Sequence, residues 1–355
     1  MFLRRLDWVL FGAIAFLGLC SSVTLFSIAK PLFYQQLAWY GLGAACVIVL
    51  VRFDWRPLVN YHGAILALYG FSLLLLIATL FAPPIRGIRG WLVLGPLQFQ
   101  TSEFAKLVLI IVFSWFWAKA HVRIAHLRNL FVSMFYVSLP GALILIQPDM
   151  GSALILFGIW FGYLLISGIQ WKHLGTAGAL FVITGIFLWT SFLAPYQKNR
   201  ILGLFYPERD PLGVNYNVIQ SKIAIGSAGF FGKGFGQGSQ VQLGFLPEAQ
   251  TDFIFSAFME EWGMLGGALA IGAFVLMLFR IVRAGMESGN NFSRMFCLGA
   301  AMMCLLHFIL NIGSALGLLP VIGVPFPFLS YGGSHLLTNL AMAGIIQGIV
   351  VRSKF

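Results

Sequence analysis

Long apolar runs, separated by short polar clusters, organise this chain. Stretches near the ~20 residues that a helix needs to cross a hydrocarbon core fall at 8–29, 34–51, 61–82, 103–119, 129–147, 151–168, 171–193, 252–282, 293–318 and 332–351. Runs of this length predict an all-α polytopic membrane protein with about ten transmembrane helices. The first begins at Trp8 behind Arg4 and Arg5, exceeds the apolar region of a signal peptide and lacks a small-residue cleavage site, so it reads as a retained span. Residues 1–355 read as a single integral membrane domain, with one long connection inside it, 194–251.

Composition strengthens this picture. Hydrophobic residues make up 59% and charged residues 9%, and the mean hydropathy is +0.90, values foreign to soluble domains. Charge then orients the bundle. With the N-terminus inside, the cytoplasmic side carries Arg4, Arg5, Arg52, Arg56, Lys119, Arg123, Arg128, Lys172, Arg280, Arg283, Arg294, Arg352 and Lys354, thirteen of the 22 Lys and Arg. The positive-inside rule therefore predicts two cytoplasmic termini and makes 194–251 a large extracytoplasmic loop. This topology and anionic lipid headgroups account for the net charge of +11, so nucleic acid is not needed as a partner.

Sorting the eleven carboxylates by side changes the picture again. Asp7, Asp54 and Glu287 sit at inner edges and Glu260 and Glu261 lie within the eighth run, whereas Glu103, Asp149, Glu208, Asp210, Glu248 and Asp252 belong to the outside. In "QTSEFAK" (100–106), Glu103 and Lys106 are three apart and share a helix face. They read either as a capping carboxylate with a snorkelling lysine or as the lining of a polar cavity, the default for ionisable groups inside spans. Asp252 follows Thr251 at the start of the eighth run, and Asp149 in "QPDMGSA" starts the sixth. Each is a simple N-cap or, with Glu103, Lys106, Arg86, Arg89 and Arg200, part of one charged outer cleft.

Two glycine-rich or proline-rich stretches face the same side. "GSAGFFGKGFGQGSQ" (226–240) permits tight turns; it is a flexible linker or, with Lys222 and Lys233, a pyrophosphate cradle, but Gly234 after Lys233 excludes a Walker A loop. "LPVIGVPFPFLSYGGSH" (319–335) is broken backbone at membrane depth, tolerated only where protein or a cavity covers it. Cys20, Cys46, Cys297 and Cys304 lack ligand spacing, and the histidines do not pair: His307 stands alone in the ninth run and His335 opens the tenth. No structural metal site is expected.

"RLDW" (5–8), "QTSEFAK", "QPDMGSA", "GKGFGQGSQ" (232–240), "PEAQTDFIFS" (247–256) and "GLLPVIGVPFPFLSYGGS" (317–334) together resemble, in order and over nearly the whole chain, the motifs of the SEDS (shape, elongation, division, sporulation) family. The short termini and "RLDW" resemble the elongation branch more than the division branch. Two positions depart from the family pattern: Thr101 replaces a proline, and His335 replaces a small residue.

The resemblance implies a peptidoglycan glycosyltransferase of the bacterial cytoplasmic membrane that polymerises lipid II on the outer face. Asp252 then matches the family's essential aspartate, a general base for the acceptor hydroxyl, and Glu103 and Lys106 match its charged pair. Arg89, Asp149, Arg200, Lys233, Ser330, Gly332 and Gly333 become candidate substrate contacts. Lys106, Arg89, Arg200, Lys233 or a divalent cation (Mg or Mn) would neutralise the leaving pyrophosphate. The implied partners are a class B penicillin-binding protein, the lipid-linked substrate with its growing glycan strand, and membrane lipids. A lipid II flippase would place its charges near the midplane, and a scaffold for a transpeptidase would tolerate Asp252→Asn.

Overall fold

The computed structural model describes residues 5–55, 57, 60–85, 87–95, 97–119, 127–166, 171–192, 195–206, 213 and 215–353. Arg86, Glu208 and Asp210, singled out above, lie outside these described residues. All ten apolar runs fall on helices: α1 (Trp8–Ile28), α2 (Lys30–Arg52), α3 (His62–Leu80), α4 (Thr101–Lys119), α5 (Leu127–Ile146), α6 (Met150–Ile166), α7 (Trp171–Phe187), α11 (Ile254–Met286), α12 (Asn291–Ala315) and α13 (Gly333–Ser353). Among the described residues, eight helices are long and apolar enough to cross a membrane; α6, at 17 residues, is a shorter apolar one. A π-helical turn, Leu188–Phe192, extends α7.

These helices are apolar on every side, so amphipathicity cannot decide which are central. Packing does: 83% of the apolar window of α4 and 94% of that of α13 are buried, against 22% for α2. Small residues allow the closest approaches. Gly43 of α2 receives Leu340 of α13, and Gly299 of α12 receives the Tyr163 ring of α6.

The end at which α1 begins is closed by polar contacts. Asp7 caps α1 by accepting from the Leu10 amide at 3.0 Å and pairs with Arg280 of α11 at 2.6 Å. Its own backbone N–H and carbonyl exchange two 2.9 Å bonds with the Gln347 side chain of α13. The "RLDW" stretch thus ties three helices together.

At the opposite end the connections carry structure of their own. Ahead of α4, where the sequence predicts no span, two strands, β1 (Trp91–Leu94) and β2 (Leu97–Gln100), pair antiparallel as a hairpin with Trp91 opposite Gln100. The hairpin runs directly into α4, delivering Thr101 and Ser102 to its first turn. The stretch 194–251 is not a plain linker: it contains α8 (Pro195–Phe205), α9 (Tyr216–Ser227) and α10 (Ser239–Gln242). Ser221 of α9 anchors it to the bundle, with its Oγ 2.7 Å from both Ser256 Oγ and the Ala315 carbonyl.

Candidate active site

Asp252 lies on a turn, with α11 starting two residues later and Phe253 as the N-cap residue. The main chain here is held from two sides. Asn311 of α12 donates its Nδ2 to the Asp252 carbonyl and to the Val324 carbonyl, both at 2.9 Å. Ser330 accepts from the Phe326 amide at 2.8 Å and donates to the Thr251 carbonyl at 2.7 Å, while the Tyr331 amide donates to Gln250 at 2.9 Å. The broken "PVIGVPFPFLSY" segment is therefore laced to the Asp252 turn along its length. The Asp252 carboxylate is half-buried and faces Gly323, whose φ is +72° and where a Cβ would sit 3.8 Å from Oδ2. Burial pushes the Tyr331 phenol up from its ordinary pKa, so it stays protonated and donates to Gln35.

Glu103 and Lys106 are brought together as their spacing predicts, but not in a cavity. Glu103 is 2% and Lys106 1% exposed. The ammonium lies 2.6 Å from Glu103 Oε1 and 3.3 Å from His307 Nε2, and Glu103 Oε2 is 3.2 Å from His335 Nδ1. The two imidazoles lie 4.7 Å apart, inclined at 30°. Contrary to the sequence expectation, His307 and His335 do meet: one comes from the middle of α12 and the other from the first turn of α13, and packing of separate helices leaves no spacing signal.

The partners fix the protons. His307 Nδ1 faces the Pro325 carbonyl at 3.0 Å, so Nδ1 carries the hydrogen and Nε2 accepts from Lys106. His335 Nδ1 donates to the carboxylate, and its Nε2 accepts from Asn339 Nδ2 at 3.0 Å. Glu103, His307 and His335 also form a group with ligand atoms within 4.8 Å of one another. The Lys106 ammonium already stands among them as the cation, so this donor set does not fit a divalent ion. His335, where the family pattern has a small residue, completes the enclosure of Glu103.

The remaining expected residues separate into distinct roles. Asp149 is buried and caps α6 by accepting from the Ser152 amide at 3.0 Å, and its other oxygen takes Gln100 Nε2 and Ser102 Oγ at 3.1 and 3.2 Å. It joins α6 to α4 as a cap. Gly333 is required by packing, because a Cβ there would lie 2.0 Å from Trp39; Gly332 has room and gives its carbonyl to the Leu336 amide. Arg89 is exposed beside the hairpin, its amide donating to Gln147. Arg200, also exposed, donates Nη1 to the Val321 carbonyl at 3.2 Å, two residues from the glycine that faces Asp252.

Lys233 departs most from expectation. It pairs with Glu260 at 2.7 Å, and its amide and that of Gly234 donate to the carbonyls of Glu260 and Glu261 at 3.0 Å. Gly263 (φ 71°, ψ −172°) breaks α11 at this point, and the amides of Met264 and Leu265 turn to the carbonyls of Gly229 and Phe230. The glycine-rich loop fills the break with its own backbone. Only glycine serves at 263, since a Cβ would meet the loop backbone at 2.3 Å. Lys233 is thus the counter-ion of a buried glutamate and not the floor of a phosphate cradle. Sequence reading missed Asn311 too, whose one signal is a polar amide inside an apolar run.

Comparison with known proteins places the chain in a family and matches its fold. The family model described as FTSW_RODA_SPOVE, cell cycle protein, matches residues 1–354. Peptidoglycan glycosyltransferase MrdB of Escherichia coli K12 is 36% identical over 321 residues, covering 90% of this chain and 86% of that protein. Peptidoglycan glycosyltransferase RodA of Treponema pallidum is 28% identical over 391 residues, covering 90% of each. Among solved structures, a chain of a peptidoglycan synthase complex that coordinates polymerization and crosslinking superposes with a TM-score of 0.82 at 35% identity, covering 99% of this chain and 98% of that one. The rod shape determining protein RodA of Thermus thermophilus gives 0.71 at 31% identity with the same coverage. The protein is a member of the FtsW/RodA/SpoVE family, the SEDS family that its motifs resemble.

Proposed function

We propose that this multi-pass membrane protein is a peptidoglycan glycosyltransferase that polymerises lipid II, with Asp252 as general base. The glycosyltransferase activity rests on family membership and on the names of its relatives. The observation that carries the base assignment is the arrangement of the turn: the backbone of residues 250–252 is bonded on both sides, so the carboxylate is presented at a fixed place while remaining half-exposed. A general base needs this combination of positioning and access.

Asp252 takes the proton from the acceptor sugar's 4-hydroxyl as that oxygen attacks the anomeric carbon of the strand. The bond to the polyprenyl pyrophosphate breaks, and the pyrophosphate leaves with its electron pair. A single displacement inverts the anomeric centre and needs no protein nucleophile. Of the cations considered, Lys106 is sealed in the bundle and Lys233 is committed to Glu260. Arg200 has the geometry for the leaving group, being exposed and tied to the segment that faces Asp252.

The reaction faces the outside of the bacterial cytoplasmic membrane, with both termini in the cytoplasm, a topology supported by the basic residues of the inner connections. Crosslinking is supplied by a class B penicillin-binding protein; the similarity to a chain of a peptidoglycan synthase complex supports that pairing. The test is polymer formation from purified lipid II by wild type and Asp252→Asn, with thermal unfolding measured on both. Wild type is expected to make polymer, and the folded variant none. Equal activity of the two would end the base assignment.

A further inference from the structure

The buried charge cluster and the Asp252 turn, separate in sequence, meet at one carbonyl. Pro325 accepts from His307 Nδ1, and its two neighbours are bonded to the side chains that hold the turn, Asn311 and Ser330. Val324 shares Asn311 with the Asp252 carbonyl, and Phe326 shares Ser330 with the Thr251 carbonyl. From the other side His307 is held by Lys106, which is fixed by Glu103, which His335 fixes in turn. His307 is 0% exposed, so water cannot stand in for either of its bonds.

We propose that His307 is a positioning residue for the glycosyl transfer: it transmits the rigidity of the Glu103–Lys106 pair through the Pro325 carbonyl to the segment that sets the place of Asp252. The proposal rests on Asp252 being the base. It explains why an ion pair with no open access belongs to the site at all. The pair is a foundation under the loop, and His307 is the strut between them. The role needs a group that donates at one end and accepts at the other, which a glutamine amide also does and a leucine does not.

The experiment compares wild type, His307→Gln and His307→Leu as full-length protein in nanodiscs. One arm measures hydrogen–deuterium exchange of the peptides covering 249–254 and 322–331; the other measures kcat and KM for lipid II polymerisation. Phe296→Leu, a buried change elsewhere on α12, controls for general loosening. His307→Leu is expected to raise exchange in both peptides and to lower kcat on the order of 10²-fold, the cost of misplacing a catalytic group by about 1 Å, with KM little changed. His307→Gln is expected to restore both readouts to near wild type, and Phe296→Leu to leave both peptides and kcat unmoved. Unchanged exchange in His307→Leu overturns the proposal, whatever the rate does, and so does a glutamine variant no better than leucine. Raised exchange with unchanged kcat also overturns it, since the contact would then do nothing for glycosyl transfer. Asp252→Asn in the same assay keeps this outcome distinct from failure of the base assignment, which equal activity of that variant would show.

Discussion

Glu103 and Asp252, the two carboxylates proposed for the site, are held in opposite ways. Glu103 is enclosed: its oxygens are taken by an ammonium and an imidazole, and its exposure is 2%. Asp252 is held by the main chain around it, with its side chain at a half-open position. A charge whose partners are all built into the fold serves architecture, because any reaction would first have to break those bonds. A charge placed through its main chain is positioned by bonds that a reaction need not break. Lys106 and Lys233 repeat the lesson among cations, since both match expectations for a phosphate contact and both are occupied by buried glutamates.

Experiments can break this contrast from either side. The largest effect is expected from Asp252→Asn, which should reduce polymerisation by about 10²–10⁴-fold, the range for losing a general base, without lowering the melting temperature. Lys106→Met should act first on the fold, costing about 3–5 kcal/mol of stability by stranding Glu103 unpaired in the core. Pairing it with Glu103→Gln should recover much of the loss in a chemical or thermal unfolding series. Gly333→Ala comes next: the added carbon has to displace Trp39, with an expected cost of about 1–3 kcal/mol from overpacking. Arg200→Ala should lower kcat for lipid II by about tenfold, a modest loss of leaving-group stabilisation, and leave unfolding unchanged. The smallest effect belongs to Arg283→Ala, whose pair with Glu287 is about half exposed on both sides; neither melting nor polymerisation should move measurably.

Much of the fold was legible because burial in a membrane writes itself into every residue of a span. Helices α1, α4 and α13 lie within two residues of the runs that predict them. The pairing of Glu103 with Lys106 was legible for a similar local reason, three residues on one helix. What escaped depends on how separate elements pack. His307 and His335 are 28 positions apart on different helices, and nothing in either neighbourhood encodes their meeting. The eighth run reads as one span across Gly263 in spite of Glu260 and Glu261, so neither the break nor its filling by the glycine-rich loop leaves a periodicity to detect. Asp149 shows the reverse limit: its N-cap pattern was visible, and the grouping of acids on one side drew it into a binding role that its bonds to Ser152, Ser102 and Gln100 do not support.

The contact between Asp7 and Gln347 has a consequence for how the molecule is made. The two residues exchange a pair of hydrogen bonds across 340 positions, and α13, translated after the other helices, is also the most enclosed of the candidate spans. A ribosome that has delivered α1 to α12 has therefore produced a bundle with its keystone missing: the Asp7 carboxylate already has Arg280 of α11, but its main-chain N–H and carbonyl still wait for Gln347. Insertion of α13 is then expected to be the step that closes this bundle. Chains arrested before Gln347 should accumulate as an open, protease-sensitive assembly in the membrane.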